Sequence, residues 1–154
     1  MKSEGTETDE QAMARRIRAS FARQGLMATL GAELGAIRPG YVEISLAPRP
    51  EVSQQHGFVH GGAVGAIADS AAGYAALSLM PPDAGVLTTQ FTLHFLAPAR
   101  GRRLIACGRV VKAGRTLTVA ETEVFAETEE GERRTVALLL ASLMTVRGQA
   151  GVQD

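Results

Sequence analysis

The stretch GGAVGAIADSAAGYAALSLM, from Gly61 to Met80, constrains this chain more than any other. It is almost wholly small and apolar, and Pro81-Pro82-Asp83 directly after it forbids further helix. An apolar run of this length raises a transmembrane reading, but most of its hydrophobic content is Ala and Gly, and Asp69 stands near its centre. The expectation is a buried helix in a folded domain, running from about Gly61 to Met80. Ala and Gly give such a helix a slim profile, so a curved sheet can close tightly around it.

The rest of the chain supplies that sheet. In EQAMARRIRASFARQG, Met13, Ile17 and Phe21 fall one turn apart, which predicts an amphipathic, basic helix closed by Gly25. LMATLGAELGAIRPGYVEISLAPRP then reads as a β-hairpin turning at Pro39-Gly40, with Val42, Ile44 and Leu46 alternating on its second arm. After the long helix, Phe91, Leu93 and Phe95 alternate with Thr92 and His94. Two further strands meet at Ala113-Gly114, and a last one runs from about Arg134 to Val146 after the EEGE turn. The order predicts an α+β layer: helix, two strands, the long helix, then four strands in an antiparallel meander. Residues 1–10 are expected to be a mobile N-terminus, 11–146 a single domain and 147–154 a flexible tail.

At 154 residues and 45% hydrophobic content, the chain suits one domain with a real core. Sixteen basic residues balance sixteen acidic ones, so no overall field recruits nucleic acid or an anionic membrane. The single cysteine, Cys107, has no internal partner for a disulfide, and MKSEGTETDE lacks the basic-then-apolar order of a signal peptide. A cytoplasmic protein is the expectation.

Asp69 is the anomaly, because a buried, unpaired carboxylate is unfavourable by several kcal/mol or stays protonated with a raised pKa. Two explanations stand. It accepts hydrogen bonds from hydroxyls such as Ser70 or Thr88, or pairs with a base across an oligomer interface; or it works as a nucleophile or general base. His60-Gly61-Gly62 bears on the choice, since the first turn of a helix offers unpaired N–H groups at its positive end, and glycine lets a substrate approach them. Gly61 and Asp69 are eight residues apart, which is about 12 Å along one helix. A single carbonyl group cannot touch both, so a shared substrate requires the carboxylate of a second, antiparallel copy across a two-fold axis.

QQHGFVHGGAVGAIAD, the helix after it and GVLTTQFTLHFLAPARG together resemble the hotdog-fold thioesterases, particularly the PaaI-type and 4-hydroxybenzoyl-CoA branches, over roughly Met27 to Val146. The resemblance rests on a Gln six residues before the His, the His-Gly-Gly step, an acid nine residues after the His, and an apolar strand ending in Ala-Pro-Ala. It implies a sheet wrapped around one long helix and hydrolysis of an acyl-CoA thioester with an aromatic or medium-chain acyl group.

In the implied mechanism the Gly61 N–H polarises the thioester carbonyl, Gln54 contacts the carbonyl or places water, and Asp69 of the neighbouring chain attacks or deprotonates water. His60 would orient the loop or sit near the sulfur. Gly62, Gly73 and Thr88 would border the substrate; some relatives carry a hydroxyl residue where this chain has Gly73. The acyl pocket would involve Gly73, Tyr74, Leu77 and the N-terminal helix, and Arg102, Arg103, Lys112 and Arg115 would lie near the coenzyme A phosphates. The resemblance implies no metal and no cofactor beyond the coenzyme A of the substrate, and a homodimer or homotetramer. The alternatives are a non-catalytic acyl-CoA-binding module and a hotdog dehydratase.

Overall fold

A computed structural model describes residues 7–154. Its elements are α1 (Asp9–Ala22), α2 (Gly25–Leu30), β1 (Glu33–Arg38), β2 (Tyr41–Leu46), a 3-10 turn (Pro50–Val52), α3 (Gly61–Leu77), β3 (Gly85–Phe95), β4 (Arg103–Lys112), β5 (Leu117–Glu127) and β6 (Arg133–Val146). Six strands form one antiparallel sheet in the order β1-β2-β4-β5-β6-β3, with α3 packed against β2 to β6. This is the hotdog arrangement. Among the described residues no helix is long and apolar enough to cross a membrane.

The slim profile of α3 decides how close the layers come. Ala68, Ala71, Ala72, Ala75 and Ala76 are wholly inaccessible to solvent, and Val42, Ile44, Leu104, Val124 and Leu143 from the strands fill the core around them. At Gly108 in β4 the helix backbone rests directly on the strand: a Cβ there would lie 2.7 Å from the Ala72 nitrogen and closer still to the Ala71 carbonyl. The buried Thr122 hydroxyl on β5 donates to the Ala68 carbonyl at 2.8 Å, a further tie between sheet and helix.

Several boundaries differ from the expectations. The last four strands do not form a single meander: β4, β5 and β6 do, but β3 pairs with β6, with Phe91 opposite Ala141 and Phe95 opposite Ala137. The physical reason lies in the β3–β4 connection. Leu96 N–H bonds the Val136 carbonyl and Val59 N–H bonds the Ala99 carbonyl, so the chain is drawn across the end of the sheet instead of turning back as a hairpin. β4 then adds beside β2, leaving β3 as an open edge.

The segment expected as the first hairpin arm starts as helix. Gly25 opens α2 instead of closing α1, and Gly31, at φ 68°, ends it, with Ala32 N–H bonding the Met27 carbonyl. Likewise α3 stops at Leu77, three residues short of Met80: the Leu79 and Met80 N–H groups bond the carbonyls three residues back, those of Ala76 and Leu77, and the Ser78 hydroxyl donates to the Ala75 carbonyl at 2.6 Å and accepts from Gly40 N–H at 2.7 Å.

Of the N-terminus expected to be mobile, residues 1–6 lie outside the described residues. A capping box between Thr8 and Gln11 starts α1 at Asp9. The segment expected as a flexible tail folds back on the domain: Arg16 and Arg23 donate to the backbone oxygens of Asp154 and Gln153, and Asp154 accepts from Val86 N–H.

Candidate active site

The first turn of α3 carries the donors. His60 is its N-cap, and its Nδ1 accepts from Gly62 N–H at 2.8 Å. With the N–H groups of Ala63 and Val64 both bonded to the His60 carbonyl, the Gly61 N–H is left at the positive end of the helix with no acceptor among the described residues. His60 thus positions this turn through its ring nitrogen.

Gln54 lies in the turn that precedes the helix, closed by bonds from Gln54 N–H to the Phe58 carbonyl and from Gly57 N–H to the Gln54 carbonyl. Its side-chain Oε1 accepts from the His56 N–H, which leaves the amide N–H₂ as a donor. Gln54 and Gly61 border one groove with Phe58 and Phe95, so the sequence-expected pair does meet.

Asp69 sits two turns further along α3, half-buried, where its Oδ1 accepts from the Thr88 hydroxyl on β3 at 2.8 Å. Burial pushes its carboxyl above the ordinary carboxylate range, and the Thr88 bond opposes that by favouring the charged form. No cation pairs with Asp69 among the described residues. An apolar trough between α3 and β3 connects the two ends of the site: Gly61, Gly62, Gly65 and Asp69 form one wall, and Phe91, Leu93 and Phe95 the other. The trough is wide open along the free edge of β3.

On the other side of Asp69 lies a second cavity, bordered by Gly73, Tyr74 and Thr88. Leu77, expected at the pocket, is fully buried in the core and faces none of this space. The basic residues also fall differently. Arg102 and Arg103 are tied, with Arg133, to the buried Glu127, while Lys112 and Arg115 lie at the β4–β5 turn. Burial raises the Glu127 pKa, but the hydrogen bonds and charges of the three guanidiniums outweigh it and hold the carboxyl below its usual range.

Sequence reasoning passed over Arg100, whose guanidinium lies 6.0 Å from the centre of the Phe58 ring at the Gln54–Gly61 groove. It also passed over Gln24 and Asp154, which border the cavity beside Asp69. None of the three had a local signal, because each is an ordinary polar residue that adds nothing to the apolar periodicity around it. Among the described residues no group of three His, Cys, Asp or Glu side chains gathers to hold a metal.

Comparison with known proteins bears on the family and the fold. The sequence model of a family described as the thioesterase superfamily matches residues 56–132. A thioesterase family protein of Silicibacter pomeroyi is 48% identical, with a TM-score of 0.86 over 88% of this chain and 99% of its own. The Escherichia coli PaaI protein from the phenylacetic acid degradation operon is 20% identical, with a TM-score of 0.80 over 92% of this chain and 99% of its own. A thioesterase of Haemophilus influenzae is 19% identical, with a TM-score of 0.75 over 98% and 99% of the two chains; these last two similarities concern the fold. No curated protein gives a significant match.

Proposed function

The chain belongs to the thioesterase superfamily, and from that premise we propose that it hydrolyses an acyl-CoA thioester, with an aromatic or medium-chain acyl group, to the free acid and coenzyme A. The observation that carries the reading is the pairing, along α3, of a Gly61 N–H without an acceptor and a half-buried Asp69 carboxylate without a cation, both among the described residues.

In this reading the thioester carbonyl oxygen accepts from Gly61 N–H and the Gln54 amide, donors that stabilise the negative charge of the tetrahedral intermediate. Asp69 either attacks the carbonyl carbon or removes a proton from the attacking water; collapse of the intermediate breaks the C–S bond and releases the coenzyme A thiolate. Its raised proton affinity suits the general-base role, and Thr88 keeps the carboxylate oriented.

Eight residues of helix put Gly61 and Asp69 of one chain about 12 Å apart, so the Asp69 that serves a given Gly61 comes from a second copy. The open edge of β3 supports that assembly. It exposes Leu87, Phe91 and Phe95 beside eleven residues of strand, a surface that a protein normally covers. Two chains joined along β3 about a two-fold axis would run their α3 helices antiparallel and form two equivalent sites; a homotetramer would be a pair of such dimers.

The test is thiol release from a panel of aromatic and medium-chain acyl-CoA substrates, with wild type, Asp69→Asn and Gln54→Ala. Wild type should turn over at least one class, and each variant alone should be poor. Mixing the two variants should restore activity, because a heterodimer keeps one site with both native groups. Tight binding without hydrolysis across the panel would instead identify an acyl-CoA-binding module. Absence of rescue in mixed dimers would place both groups in one chain.

A further inference from the structure

The cavity of about 260 Å³ beside Asp69 and Thr88 has a wall that is unusually polar for a hydrocarbon pocket. Gln24, from the α1–α2 connection, Ser70 and Tyr74, from α3, and Asp154 all border it.

Their hydrogen bonds form a directed chain. Asp154 is fixed first, since its Oδ2 accepts from Val86 N–H at 2.9 Å and its backbone oxygen accepts from Arg16 at 3.1 Å. The Ser20 hydroxyl donates its one proton to Asp154 Oδ1 at 2.7 Å. The Tyr74 hydroxyl, 3.1 Å from Ser20 Oγ, must therefore be the donor of that pair. The Tyr74 oxygen in turn accepts from Gln24 Nε2 at 2.8 Å. One N–H of the Gln24 amide is thereby spent and its orientation set, while among the described residues its Oε1 has only a long, 3.5 Å contact with the Ser70 hydroxyl. The second N–H and most of the acceptor capacity of Gln24 remain for whatever enters the cavity.

We propose that Gln24, oriented by Tyr74 and the Ser20–Asp154 pair, is a specificity-determining residue that selects acyl groups bearing a hydrogen-bonding substituent over plain hydrocarbons of similar size. This rests on acyl-CoA as the substrate, with the acyl group passing Asp69 into the cavity. A hydrocarbon filling the space would strip water from the Gln24 amide and return no bond, whereas a hydroxyl would replace both the donor and the acceptor that the water supplied. Sites built to bond a substrate polar group discriminate against the analogue that lacks it far more strongly than apolar pockets discriminate by size. The C-terminal residues take part by holding the chain of donors in its direction.

Matched pairs test this: phenylacetyl-CoA against 4-hydroxyphenylacetyl-CoA, and hexanoyl-CoA against 6-hydroxyhexanoyl-CoA, each with its non-hydrolysable thioether. Wild type should favour the hydroxylated member of at least one pair by about tenfold or more in kcat/KM. Gln24→Leu should bring the ratio to about one while still turning over the hydrocarbon. Tyr74→Phe and Asp154→Ala, which leave Gln24 in place but release it, should each lower the ratio in part, and far-ultraviolet circular dichroism checks that all three variants fold.

A wild-type ratio near one in both pairs, or an unchanged ratio in Gln24→Leu, overturns the assignment even if hydrolysis is fast. If no thioester is hydrolysed, the hydrolytic reading falls and the thioethers decide the matter by calorimetry: a preference for the hydroxylated member that Gln24→Leu abolishes upholds the role of Gln24, and equal affinity refutes it.

Discussion

Replacing Gly108 with alanine should push α3 off the sheet and carry the site with it. Gly108 lies in the interior of β4, between Val42 and Thr122, with the backbone of Ala71 and Ala72 directly above. A Cβ placed there would be 2.7 Å from the Ala72 nitrogen, against 3.4 Å or more for an ordinary contact, so the layers must part by about 0.7 Å at least. The obstacle is helix backbone, which has no rotamer to change.

Overpacking of a core typically costs about 1–3 kcal/mol, and a backbone-on-backbone clash puts this substitution near the top, at about 3 kcal/mol. With a urea m-value of about 2 kcal/mol/M, the midpoint should fall by roughly 1.5 M at fixed protein concentration, followed by far-ultraviolet circular dichroism. The same displacement moves Gly61 and Asp69 relative to the substrate, and misplacement approaching 1 Å costs about 10²-fold in turnover. Gly25→Ala is the control, since no atom lies within 4 Å of its new methyl group. A Gly108→Ala midpoint within about 0.3 M of wild type, with normal turnover, would refute the claim that layer spacing holds the site.

Asp69→Asn should lower turnover by about 10²–10⁴-fold yet raise the urea midpoint at neutral pH, because the amide keeps an acceptor for Thr88 and carries no charge to desolvate; a fall in stability would mark Asp69 as a structural residue. Its raised folded pKa sets the sign of the pH dependence: the group is most favourable to folding below the ordinary carboxylate pKa, and this declines as pH rises through the folded value. The stability gap between Asp69→Asn and wild type should therefore widen over that interval. Thr88→Val removes a hydrogen bond that favours the charged form, so the acid limb of the kcat/KM profile should move to higher pH; an unmoved limb would show that another group titrates there. His60→Ala removes the N-cap of α3 and should cost about 1 kcal/mol, measurable as a lowered midpoint, and an undiminished one would deny the capping role.

The open edge of β3 bears on all of these measurements. If folding and pairing are coupled, the midpoints depend on protein concentration, and each comparison belongs at one concentration. The same edge explains why the trough between Gly61 and Asp69 is shallow in a single chain: its outer wall consists only of Phe91, Leu93 and Phe95.

The sequence by itself determined the features that depend on neighbours along the chain. The Ala and Gly content of residues 61–77 made α3 a buried, slim helix, the alternation of Val42, Ile44 and Leu46 marked an inward strand face, and the carboxylate of Asp69 inside that helix, eight residues after Gly61, drew attention to the proposed site. Only the tertiary structure decided which strand lies beside which, since alternation records the face a residue takes and not the strand it meets: β3 could have paired with β4, and the tethered 96–102 connection sent it to β6. It also chose Thr88 over the adjacent Ser70 as the partner of Asp69, and bound Arg102 and Arg103 to Glu127. The meeting of Gln24, Tyr74, Ser20 and Asp154 joins residues up to 134 positions apart, the separation of Ser20 and Asp154. Local periodicity decays within a few turns or strand lengths, whereas such contacts are set by how the whole chain closes around α3.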